Sequence, residues 1–148
     1  MARRVFFSFH YERDVSRANV VRNSWVTQDR EAAGFFDAGL WEEAKRKGDA
    51  AIKKMIDDAL QNTSVTAVLI GKETSSRPYV QYEIDQSMAR GNGLVGVWIN
   101  AIKNLAGETD EAGPNPLSSK YKVYAWNRDD GYTNFGAWVE EAAKAAGK

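Results

Sequence analysis

The chain has no cysteine and only one histidine, His10, in 148 residues. The first absence removes disulfides, thiolate nucleophiles and thiolate zinc sites together. The second leaves little from which to build a histidine-based metal site or a Ser-His-Asp triad. Lysine and arginine together number 20 and so do aspartate and glutamate, so no excess of one sign marks a nucleic-acid or anionic-membrane surface. No apolar run approaches the ~20 residues that span a bilayer, and residues 1–4 lead into Val5-Phe6-Phe7-Ser8-Phe9, too short for a signal-peptide core. A cytoplasmic protein is expected. Neither a Gly-x-Gly-x-x-Gly fingerprint nor a Walker loop occurs, which argues against an ordinary dinucleotide or nucleoside-triphosphate fold.

What is present is a hydrophobic fraction of 43% with 11% aromatics, enough to build a core. The length suits one domain, residues 1–148. Five strand-like runs are spaced along the chain: residues 4–9, 34–37, 65–70, 94–100 and 122–126. The third and fourth are uninterrupted apolar runs, as expected of central strands covered on both faces. Helical stripes lie between them. Ala18, Val21 and Trp25 form one, with Asp14 available as a cap. Ile52, Met55, Ile56, Ala59 and Leu60 form a second, and Phe135, Trp138, Val139 and Ala142 a third. The alternation predicts a three-layer α/β domain with a parallel five-stranded sheet of flavodoxin-like order 2-1-3-4-5. Residues 101–120, rich in Gly, Pro, Asn and Ser, interrupt it as a long loop.

The segment Ser75-Ser76-Arg77-Pro78-Tyr79-Val80-Gln81-Tyr82-Glu83-Ile84 carries the most chemical information. Pro78 suits a first helical position. Val80, Ile84 and Met88 form the predicted core stripe, and Glu83 is expected to flank it, with Tyr79 one turn earlier. In an open α/β sheet, loops beyond the carboxyl ends of the strands form the ligand crevice. Ser8, Phe9, His10 and Tyr11 after the first strand, residues 37–41 after the second and residues 72–83 after the third would meet there. The weight of ordinary explanations is real. A helical glutamate is usually solvated, His10 alone is usually a satisfied loop residue, Trp41 would pack over the sheet edge, and Asp37 would serve as a turn residue.

Four segments in order resemble TIR-like domains, most closely the TIR-like subunit of Thoeris anti-phage systems. They are Arg4-Val5-Phe6-Phe7-Ser8-Phe9-His10-Tyr11, Phe36-Asp37-Ala38-Gly39-Leu40-Trp41-Glu42, Tyr79-Val80-Gln81-Tyr82-Glu83, and the pairing of Gly113-Pro114-Asn115-Pro116 with the closing Tyr124-Ala125-Trp126. The third is similar to the Trp-x-x-x-Glu pattern of NAD-cleaving TIR domains, with Tyr79 in the tryptophan position. The resemblance implies NAD as substrate rather than cofactor, no metal, and Glu83 as the catalytic glutamate of an NAD glycohydrolase or ADP-ribosyl cyclase. Ser8, Phe9, His10, Asp37, Trp41 and Tyr79 would bind substrate, and Asn115 is a weaker candidate. A cyclic ADP-ribose-type product would carry the signal to a separate effector in anti-phage defence, after a phage-derived trigger and with self-association of the chain. Two other functions fit the same residues: a non-enzymatic TIR adaptor, and a nucleoside deoxyribosyltransferase-like enzyme.

Overall fold

The computed structural model describes residues 4–26, 34–36 and 38–148. Strand β1 (Val5–Ser8) leads into helix α1 (Val15–Val26). Two helices, α2 (Ala38–Lys47) and α3 (Asp49–Leu60), precede strand β2 (Val65–Ile70). A 3-10 turn (Thr74–Ser76) then opens onto α4 (Pro78–Ala89), with Pro78 in its first turn. Strands β3 (Gly93–Trp98) and β4 (Val123–Ala125) and helix α5 (Gly131–Ala145) complete the order.

The strands form one sheet in the order β1-β2-β3-β4, all neighbours parallel. Among the described residues the sheet has four strands, one fewer than expected. The expected second strand is reduced to one parallel bridge, Phe6 to Gly34, held by Phe7 N–H to the Gly34 carbonyl at 2.8 Å and Gly34 N–H to the Val5 carbonyl at 3.3 Å. A Cβ on Gly34 would lie 2.3 Å from the Phe6 ring, so close packing of an aromatic strand on this turn leaves room for glycine only. Counting the bridge as a vestigial strand keeps the sequence of positions 2-1-3-4-5. The chain reverses direction across the sheet between β1 and β2, and that is where an open sheet forms its crevice.

Alternation along β2 assigns the two faces. Val65, Ala67 and Leu69 join one buried cluster with Phe7, Val95, Phe135 and Trp138. Val68 and Ile70 join another with Val80, Ile84, Leu94 and Leu117. Such full burial on both faces explains why β2 reads as an unbroken apolar run. Met88, expected in the α4 stripe, is 50% exposed because the end of α4 overhangs the sheet. Its place in the buried row is taken by Glu83 and Ser87. A Lys53–Asp57 pair, which the i, i+4 spacing of the two residues would allow, does not form. Lys53 turns to Asp49 at 3.4 Å, while Asp57 accepts a hydrogen bond from Tyr82 at 2.9 Å.

The 101–120 segment contains no helix or strand, as its composition suggested, yet it is tied down from beneath. Arg17, 1% exposed, donates to the carbonyls of Ile102 (2.7 Å) and Glu108 (3.0 Å) and to the carboxylates of Asp14 (2.8 Å) and Asp110 (2.9 Å). Arg13 grips Asp110 through two nitrogens, at 3.1 and 3.0 Å. Asp14 thus pairs with Arg17 rather than capping α1 with its side chain. Its other oxygen, buried and unbonded, occupies the space a side chain at Gly71 would need, 2.3 Å from the position of a Cβ there. Among the described residues no helix is long and apolar enough to cross a membrane.

Candidate active site

Glu83 sits on the second turn of α4 and faces the carboxyl end of β1. It is fully buried, so the flank position expected from helical spacing is wrong. A stripe drawn through Val80, Ile84 and Met88 places the centre of the buried face too far round. Shifted toward Val80, Glu83, Ile84 and Ser87, the face includes the carboxyl. The row is polar along one side. Ser87 donates to the Glu83 carbonyl at 2.7 Å and shares a 2.6 Å hydrogen bond with Thr66 of β2.

Two hydroxyls hold the Glu83 carboxyl, one per oxygen. Ser8, the last residue of β1, donates to Oε1 at 2.6 Å. Tyr11 donates to Oε2. Burial pushes the Glu83 pKa up to about 8 against the lowering effect of the Ser8 and Tyr11 donors. Hydroxyl dipoles cannot replace bulk hydration of an anion, so near pH 7 the group rests in its neutral form. The Tyr11 phenol is raised well above its usual range by burial and by the neighbouring carboxyl, and stays a donor.

Tyr11 was expected at the crevice with the rest of its segment, but its bond to the Glu83 carboxyl was not. The signal that could have found it is the spacing of Tyr11. Three residues past Ser8, it is carried back over the strand end by a turn at residues 10–13. His10 organises that turn, its Nδ1 accepting from the backbone N–H groups of Glu12 (3.3 Å) and Arg13 (3.1 Å). With Nδ1 acting as acceptor, Nε2 carries the proton of the neutral ring. Burial, then Arg77, lower the His10 pKa and keep it neutral.

The Tyr11 ring continues into an aromatic row. Phe9 lies 4.5 Å from it, Trp41 4.5 Å on the other side, and Tyr79 meets Trp41 edge-on at 5.5 Å. These residues, with His10, Glu12, Arg77 and Val80, line a narrow cleft of about 10 Å³, room for one water. Glu83 does not border it, because Tyr11 stands between.

Of the sequence-derived candidates, the structure brings Ser8, Phe9, His10, Trp41 and Tyr79 to Glu83 or to the cleft above it. The Tyr79 hydroxyl turns outward and donates to Asp49 at 2.6 Å, leaving its ring at the cleft. Asn115 is not brought there. It is exposed, and its side chain accepts from the Leu117 N–H at 2.9 Å within its own loop. Asp37 lies outside the described residues.

A roomier cavity of about 390 Å³ opens at the amino end of β3, between β4 and α5. Its one carboxylate, Glu141, is exposed and ion-paired with Lys122. That side is also the wrong end of a parallel sheet for a switch-point site. The chemistry points to Glu83 instead.

The family model described as "Thoeris protein ThsB, TIR-like domain" matches residues 6–104, which take in β1, the aromatic row and Glu83. A protein of Bacillus cereus (strain MSX-D12) named "Putative cyclic ADP-D-ribose synthase ThsB1" is 40% identical over 191 aligned positions, covering 94% of this chain and 100% of the relative. The chain therefore belongs to the TIR-like ThsB family of Thoeris proteins.

Proposed function

We propose that the protein cleaves NAD at the nicotinamide–ribose bond and forms a cyclic ADP-ribose-type product, with Glu83 as the catalytic carboxylate. The observation that carries this reading is a buried carboxyl held only by hydroxyls, beneath a cleft at the switch point of the sheet. The name of the Bacillus cereus relative supports the reaction class.

The chemistry follows from the charge of the substrate. Nicotinamide in NAD is a cationic leaving group and departs with the bonding electron pair without a strong acid. A cationic nicotinamide ribose beside Glu83 favours its ionised form, releasing the proton that burial retains at rest. The carboxylate then stabilises the positive charge that grows on the sugar as the bond breaks. Attack on the anomeric carbon by a hydroxyl or adenine nitrogen of the same molecule closes a ring and releases a proton. Attack by water gives linear ADP-ribose, and the dry aromatic surround of Phe9, Tyr11 and Trp41 favours ring closure. Trp41 and Tyr79 offer ring faces for the nicotinamide, and His10 Nε2–H a donor for its amide or a phosphate. The product would act on a separate effector protein after a phage-derived trigger.

The test is to follow nicotinamide release and the cyclic product from NAD with purified protein and in phage-challenged cells carrying it. A Glu83→Gln comparison runs alongside. Release of free base from a deoxynucleoside, with NAD untouched, would favour the deoxyribosyltransferase reading. Defence that survives Glu83→Gln would favour the adaptor reading.

A further inference from the structure

The cleft above Glu83 is shut by a turn whose fastening is electrostatic. Glu12, next to Tyr11, reaches across the mouth to two cations on different elements: Lys45 of α2 at 3.4 Å and Arg77, at the head of α4, at 3.6 Å. All three side chains are more than a third exposed, at 45%, 38% and 38%. Pairs of this kind are weak and exchange partners readily. Beneath them, Tyr11 plugs the route to Glu83 with a ring that is 4% exposed. In this arrangement a cleft holding a single water cannot admit a dinucleotide, and the catalytic carboxyl has no open side.

Of the two cations holding Glu12, Arg77 lines the cleft and Lys45 meets its rim through Glu12. Glu12 presents one carboxylate to them; a dinucleotide presents a diphosphate with two charges and more acceptor oxygens. Arginine binds phosphate through two parallel N–H bonds where geometry allows. Glu12 and a diphosphate therefore compete for the same positive pair. Whichever one binds there sets the position of the 10–13 turn.

We infer that Glu12 is an internal latch: a dinucleotide diphosphate takes Arg77 and Lys45 from it, the 10–13 turn lifts, and Tyr11 leaves Glu83 open to the nicotinamide ribose. Arg77 and Lys45 are thereby the diphosphate-binding residues, and substrate binding itself uncovers the carboxyl. This inference rests on the NAD reading of the site. A ligand shifts such a closed-to-open balance only through its preference for the open form, and the two cations supply that preference.

Three measurements test it. Glutamine at position 12 removes the competing charge and keeps the length of the side chain, so Glu12→Gln should raise untriggered NAD turnover about fivefold or more. Arg77→Gln should raise KM for NAD about tenfold with kcat maintained, the loss of one charged contact. The third readout needs no turnover. Among the described residues only Ser8 and Tyr11 hydrogen-bond the Glu83 carboxyl. In carboxyl-labelled protein, saturating ADP-ribose should lower its titration midpoint from about 8 toward the ordinary carboxylate range. A midpoint that ADP-ribose leaves in place overturns the latch, and so does a Glu12→Gln protein with wild-type untriggered turnover when the wild type consumes NAD in phage-challenged cells. If ADP-ribose moves the midpoint but phage-challenged cells never consume NAD, the latch stands and the NAD-cleavage reading falls.

Discussion

Two buried polar assemblies sit side by side at the carboxyl ends of the strands, and they are built on opposite terms. In the Arg17 cluster every charge meets a charge or a carbonyl: the guanidinium is shared among Asp14, Asp110, Ile102 and Glu108. At Glu83 a carboxyl of the same depth meets only hydroxyls. The first arrangement holds a long loop in place and has nothing left to give. The second leaves a carboxyl without a counter-charge, and burial raises its pKa to about 8. Burial alone therefore does not mark a functional acid. Burial without a counter-charge, under a cleft, does.

Breaking the matched assembly should produce the largest stability effect. Arg17→Met removes the buried cation paired with Asp14 and leaves Asp110 to Arg13, and breaking a buried pair in this way typically costs ~3–5 kcal/mol. Urea unfolding should show that loss, with residues 101–120 becoming cleavable by protease in the folded protein. A change below ~1 kcal/mol would mean the loop is held by its backbone alone.

Glu83→Gln comes next and works in the other direction. Turnover of NAD should fall ~10²–10³-fold, about 3–4 kcal/mol of barrier. Stability should not fall with it. On folding, Glu83 takes up a proton, because its pKa rises from 4.5 to about 8. A group raised in this way contributes stability fully below pH 4.5, and that contribution is lost as pH rises through about 8. The wild-type melting temperature should therefore decline across this window more steeply than that of Glu83→Gln. Parallel melting curves from pH 5 to pH 8 check the sign. Identical slopes would show that the carboxyl ionises freely in the folded protein.

Ser8→Ala sharpens the comparison more gently. Removing one of the two donors that lower the Glu83 pKa should raise its midpoint further and cost ~1 kcal/mol of stability. A carboxyl titration by NMR reports the first and urea unfolding the second. At the far end of the scale, Lys54→Ala removes a 2.8 Å surface pair with Asp58, its lysine 77% exposed, and should leave both melting and turnover unchanged.

The contrast also explains what the sequence could and could not reveal. Continuous apolar runs at residues 65–70 and 94–100 identified the central strands, observed at Val65–Ile70 and Gly93–Trp98, because full burial on two faces leaves a purely compositional mark. The short run at residues 34–37 also looked strand-like, but among the described residues its pairing is one bridge, and ladder length is a tertiary property. Glu83 and its helix were legible through Pro78 and the spacing of Val80 and Ile84. The depth of Glu83 was not, since a charged residue within a helical period is ordinarily read as solvent-facing. What buries it is Ser8 and Tyr11, 75 and 72 positions away. The contact of Tyr11 with Glu83 was not legible because a turn, not a helix or strand period, sets the direction of its ring. The Arg17 cluster was invisible for the same reason, with partners 85 to 93 positions distant.

The empty side of Gly71 has an evolutionary consequence. Its glycine is required by a neighbour, since Asp14 fills the volume that a methyl group would claim. Positions 14 and 71 are thus bound to change together. A homologue with a smaller residue in place of Asp14 is free to carry alanine after the second long strand, whereas one that keeps the aspartate is confined to glycine there. Across related chains the two positions should covary although 57 residues separate them, which makes the pair a fingerprint for the arginine-clamped loop in sequences with no structure at all.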